Sequence, residues 1–273
     1  MENYRYSIII RCSDDFRVFN LLSQIDASIY QVVVSITPNS EIEKKLSELG
    51  LQYVVSKKGN TALTTNLALP FVLCDNVLLL DSDCSLYPDT LNRYSETVIN
   101  IAPDFIKPYI EFEAKGISSY LTKLQRTFQY NAFDFIYEPC LLVNLKKVLP
   151  KIGGYLFSDF ALFTPDGELD FRVKQSGLEF LIVKDNLFSI KHLALSYTKN
   201  IKSHWRYGMS EANILKHTGH NVIKSFFKDV ASRYKKALSL KSPILTTPCV
   251  FVCDIIYIFS FFYHYQTQKN ERS

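Results

Sequence analysis

The stretch Asn76-Val77-Leu78-Leu79-Leu80-Asp81-Ser82-Asp83-Cys84 constrains this chain more than any other. Four consecutive aliphatic residues leave no polar face, so a strand here is buried on both sides, as in a parallel sheet covered by helices. The run ends abruptly in two carboxylates separated by one serine. In open α/β sheets, ligands gather at the carboxyl ends of the strands, which is where Asp81 and Asp83 emerge. Residues two apart on a strand point the same way, so both carboxylates can reach one hard cation. The plainer alternative is a strand that ends in a solvated Asp/Ser turn.

The flanking pattern extends that strand into a sheet. Tyr6 to Arg11 and Gln31 to Ile36 read as strands, and between them Asp14 to Ile25 carries Phe16, Phe19, Leu22 and Ile25 at helical spacing. Ser40 and Glu43 form a capping box ahead of Ile42, Leu46 and Leu49, and Gly50 marks the stop. Leu51 to Val55 is a third strand, Thr61 to Leu69 a short helix, and Val77 to Leu80 the fourth strand. Strands alternating with helices of this length make right-handed βαβ units and an α/β fold, a doubly wound, mostly parallel sheet flanked by helices. With 273 residues, 47% of them hydrophobic, the chain has the apolar surface for a full core. The expected division is one domain over 1–220, whose first half (1–100) is of nucleotide-binding type, and a basic and apolar helical tail over 221–273. Neither G-x-G-x-x-G nor G-x-x-x-x-G-K-[ST] occurs, so phosphates bound here are expected to need a metal instead.

Farther along, Pro88 to Ile101 reads as a helix, Asp104 to Glu113 as a strand or hairpin, and Ser118 to Phe135 as an aromatic-rich helix. Cys140 to Val143 is another strand and Ile152-Gly153-Gly154-Tyr155 a turn. Thr164 to Gly177 holds a helix that opens at Asp166 and closes at Gly177. Asp166 is either a cap at that N-terminus or a general base at the edge of a cleft. Arg172 pairs with Glu168 across one helical turn. His192 follows a short apolar strand and is either a metal ligand or a buried structural histidine. In Lys202-Ser203-His204-Trp205-Arg206-Tyr207-Gly208, the basic residues either hold a diphosphate or form a solvated helix face.

Six scattered cysteines with no C-x-x-C pair suggest reduced thiols and a cytosolic setting. The apolar patch Ser7 to Ile10 is too short for a signal-peptide core. The net charge of +4 is uneven: from Lys224 onward six Lys and two Arg face three acids, +5 in all, which leaves −1 for residues 1–223. A basic tail argues against a nucleic-acid-binding face and for an anionic surface. Pro248 to Tyr265 is apolar and aromatic but falls short of the ~20 residues of a bilayer span and carries Asp254 at its middle. It is expected to lie in or dip into a membrane, the other reading being a helix packed on its own domain or on a second subunit.

In this order and spacing, the motifs over residues 6–215 resemble those of the family-2 inverting glycosyltransferases of the GT-A fold. Asp81-Ser82-Asp83 is similar to that family's D-x-D, and Asp166-Gly167-Glu168-Leu169-Asp170-Phe171-Arg172 through Gly177 to its E-D-x-[DE]-L-x-x-R-x-x-x-x-G. His192 with His204-Trp205-Arg206-Tyr207-Gly208 looks like its basic-aromatic R-[YW]-G segment, and Lys58-Gly59-Asn60 through Asn66 like the loop and helix before the D-x-D strand. The resemblance implies a GT-A-like fold with an acceptor half over 101–220. It implies transfer of a sugar from a nucleotide-sugar donor to a glycan or lipid-linked acceptor, with Asp166 as general base. Asp81, Asp83 and His192 would hold Mg²⁺ or Mn²⁺, and Asp81, Asp83, Asn66, Lys202, Trp205 and Arg206 would meet the donor. From the tail, the charge and the cysteines, the expected partners include a membrane surface and no nucleic acid, and the expected location is cytoplasmic, peripheral on the inner face of the membrane.

Two positions depart from the family pattern. Ser35-Ile36-Thr37-Pro38-Asn39-Ser40 lacks the acidic pair expected after strand two, for which Asp14, Asp15 or Asp75 are the nearest substitutes, and Pro165 stands where a glutamate is expected. These departures keep open a catalytically inactive GT-A-like scaffold that binds a partner. A nucleotidyltransferase also uses such a sheet and paired carboxylates, but Arg11-Cys12-Ser13-Asp14-Asp15 is not a glycine-rich basic loop.

Overall fold

A computed structural model describes residues 4–56, 61–131, 136, 139–183, 190–218 and 245–270. The apolar runs form the middle of one seven-stranded sheet. Its strands are β1 (Ser7–Cys12), β2 (Gln31–Ile36), β3 (Gln52–Val55), β4 (Asn76–Asp81), β6 (Phe105–Lys107), β8 (Cys140–Asn144) and β9 (Phe180–Ile182), in the order β3-β2-β1-β4-β8-β6-β9. Every residue of β1, β2 and β8 is buried, as uninterrupted Ile, Val and Leu runs require. β1 pairs in parallel with β2 and β4, so Ile9 faces Val33 on one side and Leu79 on the other. β8 runs antiparallel between β4 and β6. The sheet is therefore mostly parallel, as expected.

Asp104 to Glu113 does not form a hairpin. β6 joins the large sheet, whereas β7 (Ile110–Glu113) joins a three-stranded sheet with β5 (Cys84–Leu86) and β10 (Ile190–Leu193), in the order β5-β10-β7. Pro108 separates the two strands, and its missing N–H cannot carry a continuous ladder.

Helices α2 (Ser40–Glu48), α3 (Thr61–Ala68), α4 (Thr90–Asn100) and α7 (Pro165–Ser176) follow the expected positions to within a few residues, and the short α6 (Leu145–Val148) is a helix the sequence did not announce. The cap of α2 sits one residue earlier than the sequence suggests. Asn39 accepts from the N–H groups of Glu41 and Ile42, both at 3.2 Å, and Glu43 reaches back to the Asn39 N–H at 3.1 Å. Helix α1 (Val18–Leu22) is shorter than Asp14 to Ile25 and rotated in phase: Val18, Leu21 and Ile25 are buried, while Phe16 is exposed. The Asp15 carboxylate accepts from the Arg17 N–H at 2.9 Å and holds residues 15–17 in a turn, which delays the helix.

The described chain gathers into two compact units, one of Met1–Glu111, Asp134–Asp159 and Pro165–His192, the other of Phe112–Phe133, Phe160–Thr164 and Leu193–Ser273. The core of the first includes Ile9, Val33, Leu79, Phe105 and Leu141 from the sheet, Ala62 and Ala68 from α3, and Leu169 and Val173 from α7. Burying each large aliphatic side chain is worth about 1.5–3 kcal/mol, so this cluster fixes how α3 and α7 lie on the sheet.

The second unit is built on α5 (Ile117–Asn131), α8 (Tyr197–Thr218) and α9 (Thr246–Asn270). Asn200, His204, Gly208 and Ala212 recur every four residues along the buried face of α8. A Cβ at Gly208 would lie 2.3 Å from the Tyr257 carbonyl oxygen of α9, so only glycine lets the two backbones approach this closely. Arg126 of α5 is buried with its charge spread over the Asn200 side chain at 2.9 Å, the Tyr130 hydroxyl at 3.2 Å and the Tyr207 hydroxyl at 3.3 Å. Lys58-Gly59-Asn60, the expected boundary at 220 and the basic run from Lys224 to Lys241 lie outside the described residues.

Candidate functional site

β4 ends at Asp81, and the turn at Ser82 and Asp83 leads directly into β5. Asp83 thus reaches the side of Asp81 through a turn rather than through the alternation of an extended strand. Two pairings supply the neighbours. Parallel register sets Arg11 of β1 beside Asp81, and antiparallel register sets His192 of β10 beside Cys84, next to Asp83. Asp81, Asp83 and His192 each offer a ligand atom, and these atoms lie within 4.8 Å of one another. Among the described residues this is the one group of three such side chains.

Two carboxylates and one imidazole, with the carboxylates partly open to solvent and the histidine buried, could hold a divalent metal ion. The His192 Nε2 stands 3.2 Å from Asp83 Oδ1. With the proton on Nε2 this is a hydrogen bond, and with the proton on Nδ1 the same nitrogen presents a lone pair to a cation.

Two arginines occupy the outer sides of the carboxylates. Arg11, nearly buried, donates to Asp81 Oδ1 at 2.6 Å. Arg17 lies 3.7 Å from Asp83 Oδ2 and is gripped by Asp15, whose oxygens accept from its Nε at 2.8 and 2.9 Å. The carboxylates are driven apart electrostatically. Burial raises the Asp81 carboxyl above the ordinary carboxylate range despite the opposing Arg11 charge. At Asp83 the upward push of burial is outweighed by the His192 hydrogen bond and charge and by Arg17, so this carboxyl is lowered. The thiols beneath the site stay protonated: burial pushes Cys140 up to about 12 and Cys84 well above its ordinary value. Neither is a nucleophile in waiting.

Asp166 stands in the first turn of α7, and its carboxylate accepts from the Gly167 N–H at 3.0 Å. Its helix is clamped from within. The Arg172 guanidinium meets both Glu168 oxygens at 2.6 and 2.7 Å and donates to the carbonyls of Ile152 at 2.7 Å, Tyr155 at 3.0 Å and Leu156 at 2.7 Å. The expected i,i+4 pair is present and does more than join one turn of helix: it holds the Gly153-Gly154 turn, with φ of +95° and +85°, against the helix bearing Asp166.

Of the other expected donor contacts, Asn66 belongs to the first unit and Lys202, Trp205 and Arg206 to the second. The Asn66 amide brackets the backbone of Phe157, donating to its carbonyl at 2.7 Å and accepting from its N–H at 3.3 Å. Asp75 precedes β4 at the amino end of the strand, about 20 Å of strand from Asp81, which removes it as a substitute for the missing acidic pair. Lys202, Trp205 and Arg206 lie on α8 in the second unit, where the Trp205 ring neighbours Tyr263 and His264 and the Arg206 guanidinium lies 5.8 Å from the Phe163 ring. Arg11 and Arg17 are the residues that sequence reasoning missed, while Asp15, expected as a substitute for the acidic pair, is found holding Arg17. Arg11 carried a faint signal, since it ends β1 as Asp81 ends β4, but only strand pairing makes them neighbours.

No family model and no curated protein matches this chain. Solved structures of S. aureus TarS do. TarS 1-349 in complex with UDP-GlcNAc is similar with a TM-score of 0.51 and 15% identity over 93% of this chain and 81% of that one. TarS 1-349 in complex with UDP gives 0.52 and 14% over 97% and 91%. The longer TarS structure gives 0.52 and 15%, with 93% of this chain matched to 48% of that one. At these identities the likeness is one of fold.

Proposed function

We propose that this chain is a metal-dependent glycosyltransferase that moves a sugar from a nucleotide-sugar donor to a glycan or lipid-linked acceptor. The observation that carries this reading is the convergence of Asp81, Asp83 and His192 at the carboxyl end of β4, in a fold shared with a protein solved with UDP-GlcNAc bound. Asp81 and Asp83, with His192, would hold Mg²⁺ or Mn²⁺, which when bound supplies positive charge to the donor's diphosphate as the leaving group develops charge. Arg17, the more exposed of the two arginines, sits on the outer side of Asp83 with a guanidinium fork suited to phosphate oxygens. Asp166 takes the proton of the acceptor hydroxyl. As that oxygen bonds to the anomeric carbon, the bond from carbon to the diphosphate oxygen breaks, and configuration inverts in one step. General-base assistance of this kind contributes ~10²–10⁴-fold. The apolar helix α9 supports association with a membrane.

The test is transfer of radiolabelled sugar from a panel of nucleotide sugars, with Mn²⁺, to glycan and lipid extracts. Asp166→Asn is expected to lose transfer by at least about 100-fold while binding nucleotide diphosphate as before. Transfer at the unaltered rate by the variant would remove Asp166 from the reaction, and an absence of transfer with every donor would argue for the inactive scaffold.

A further inference from the structure

The second unit carries a surface that the transfer chemistry does not use. Helix α9 has a 22-residue stretch, Thr246–Thr267, with mean hydropathy of 1.6, long and apolar enough by itself to cross a bilayer. Up to Ser260, its small and charged residues line one side. Cys249, Cys253, Asp254 and Ser260 are buried on the side that packs along α8 and α5. The opposite side is aromatic and exposed: Phe251 is 53% exposed, Phe259 66%, Phe262 40% and Tyr263 56%, with Val252 in the same stripe.

This stripe continues onto α8. The Trp205 ring, 40% exposed, has its centroid 6.0 Å from those of Tyr263 and His264. One helical turn from Trp205 is the exposed Lys202, one turn farther the exposed Lys199, and Arg206 follows it directly. An aromatic stripe edged by three cations is the arrangement of a helix face that sits at the boundary of headgroups and acyl chains. It is not the arrangement of a span, because α9 is packed lengthwise on α8, and crossing would carry charged α8 side chains into hydrocarbon.

We infer that α9 and Trp205 form an in-plane docking surface for a bilayer containing anionic lipid, with Phe251, Phe259, Phe262 and Tyr263 entering the acyl boundary and Lys199, Lys202 and Arg206 meeting headgroup phosphates. The inference deepens the reading of a membrane-associated enzyme and rests on it. It also assigns the basic residues of α8 to lipid rather than to the donor's diphosphate. The positive charge of the chain beyond Lys224 acts in the same direction.

The chain contains a single tryptophan, so its fluorescence reports this surface alone. The full chain is mixed with vesicles of phosphatidylcholine and phosphatidylglycerol whose acyl chains are brominated either near the carbonyl or near the methyl end. Trp205 emission is expected to be quenched most by the shallow bromines, and Phe259→Glu to lower vesicle partition roughly tenfold or more with melting temperature unchanged. Lys199→Glu with Lys202→Glu is expected to weaken binding to anionic vesicles and to flatten its salt dependence. Co-flotation with Trp205 unquenched, or undiminished flotation of Phe259→Glu, would overturn the inference while leaving membrane association intact. Strongest quenching by the deep bromines would overturn the in-plane arrangement, and a chain that floats with neither lipid mixture would sink membrane association as well. UDP binding by the Phe259→Glu variant is expected to match the parent, which keeps this test separate from that of the donor site.

Discussion

Asp83 and Arg172 show how differently two charged residues serve one chain. Asp83 is partly exposed, is held in its charged form by His192 and Arg17, and stands where a cation can replace those partners. Arg172 is turned inward, its guanidinium shared between a buried carboxylate and three carbonyls. Arg172→Ala leaves Glu168 buried and unpaired, a loss of about 3–5 kcal/mol. For a chain of this size that corresponds to a fall in melting temperature of roughly 6–20 °C, readable by circular dichroism. Asp170 offers a pH-dependent test. Burial raises its carboxyl above the ordinary range, against the pull of Lys174. The folded state therefore keeps the proton to higher pH than the unfolded state does. Stability is lost as pH rises from the unfolded value, about 3.9, through the raised folded value. Asp170→Asn, which keeps an acceptor for the Ile136 N–H, is expected to melt higher than the parent at neutral pH and to converge with it in strong acid. A variant that melts lower at neutral pH would show that the Lys174 contact at 2.6 Å outweighs burial.

Among the elements, those whose side chains face only hydrocarbon were legible, and those set by polar turns were not. The Ile, Val and Leu runs of β1, β2 and β4 stand where the sequence places them, because no other arrangement hides such runs. Helix α1 departs in phase from the hydrophobic spacing because its start is governed by one Asp15 hydrogen bond, to which that spacing is blind. The segment Lys202 to Gly208 reads either as a diphosphate-holding stretch or as a solvated helix face, and in the structure it lies within a 22-residue helix whose glycine serves packing. Gly208→Ala decides this by sign. In a solvated helix the change gains about 1 kcal/mol. Against the Tyr257 carbonyl and the Phe261 backbone nitrogen, at 2.3 and 2.8 Å from the added carbon, it is expected to cost about 1–3 kcal/mol instead. A higher melting temperature for Gly208→Ala would show that α8 and α9 are not packed this closely.

At the level of the whole molecule, strands β1 to β4 and half of the candidate site could be read from order and spacing alone, while β9 and the antiparallel run of β8 could not. The other half of the site required the fold. His192 comes to Asp83 across more than a hundred residues through the pairing of β10 with β5, and Arg11 to Asp81 through that of β1 with β4. Local spacing cannot encode such distances. The central claim is that this assembled cluster binds a nucleotide diphosphate through a divalent cation, and calorimetric titration of UDP and GDP with and without Mn²⁺ tests it most directly. At least one nucleotide is expected to bind only when Mn²⁺ is present, and about 100-fold or more weakly in Asp83→Asn, since loss of outer-shell partners alone costs 10–100-fold. Failure of both nucleotides to bind with Mn²⁺, or equal binding without the metal or in Asp83→Asn, would contradict it.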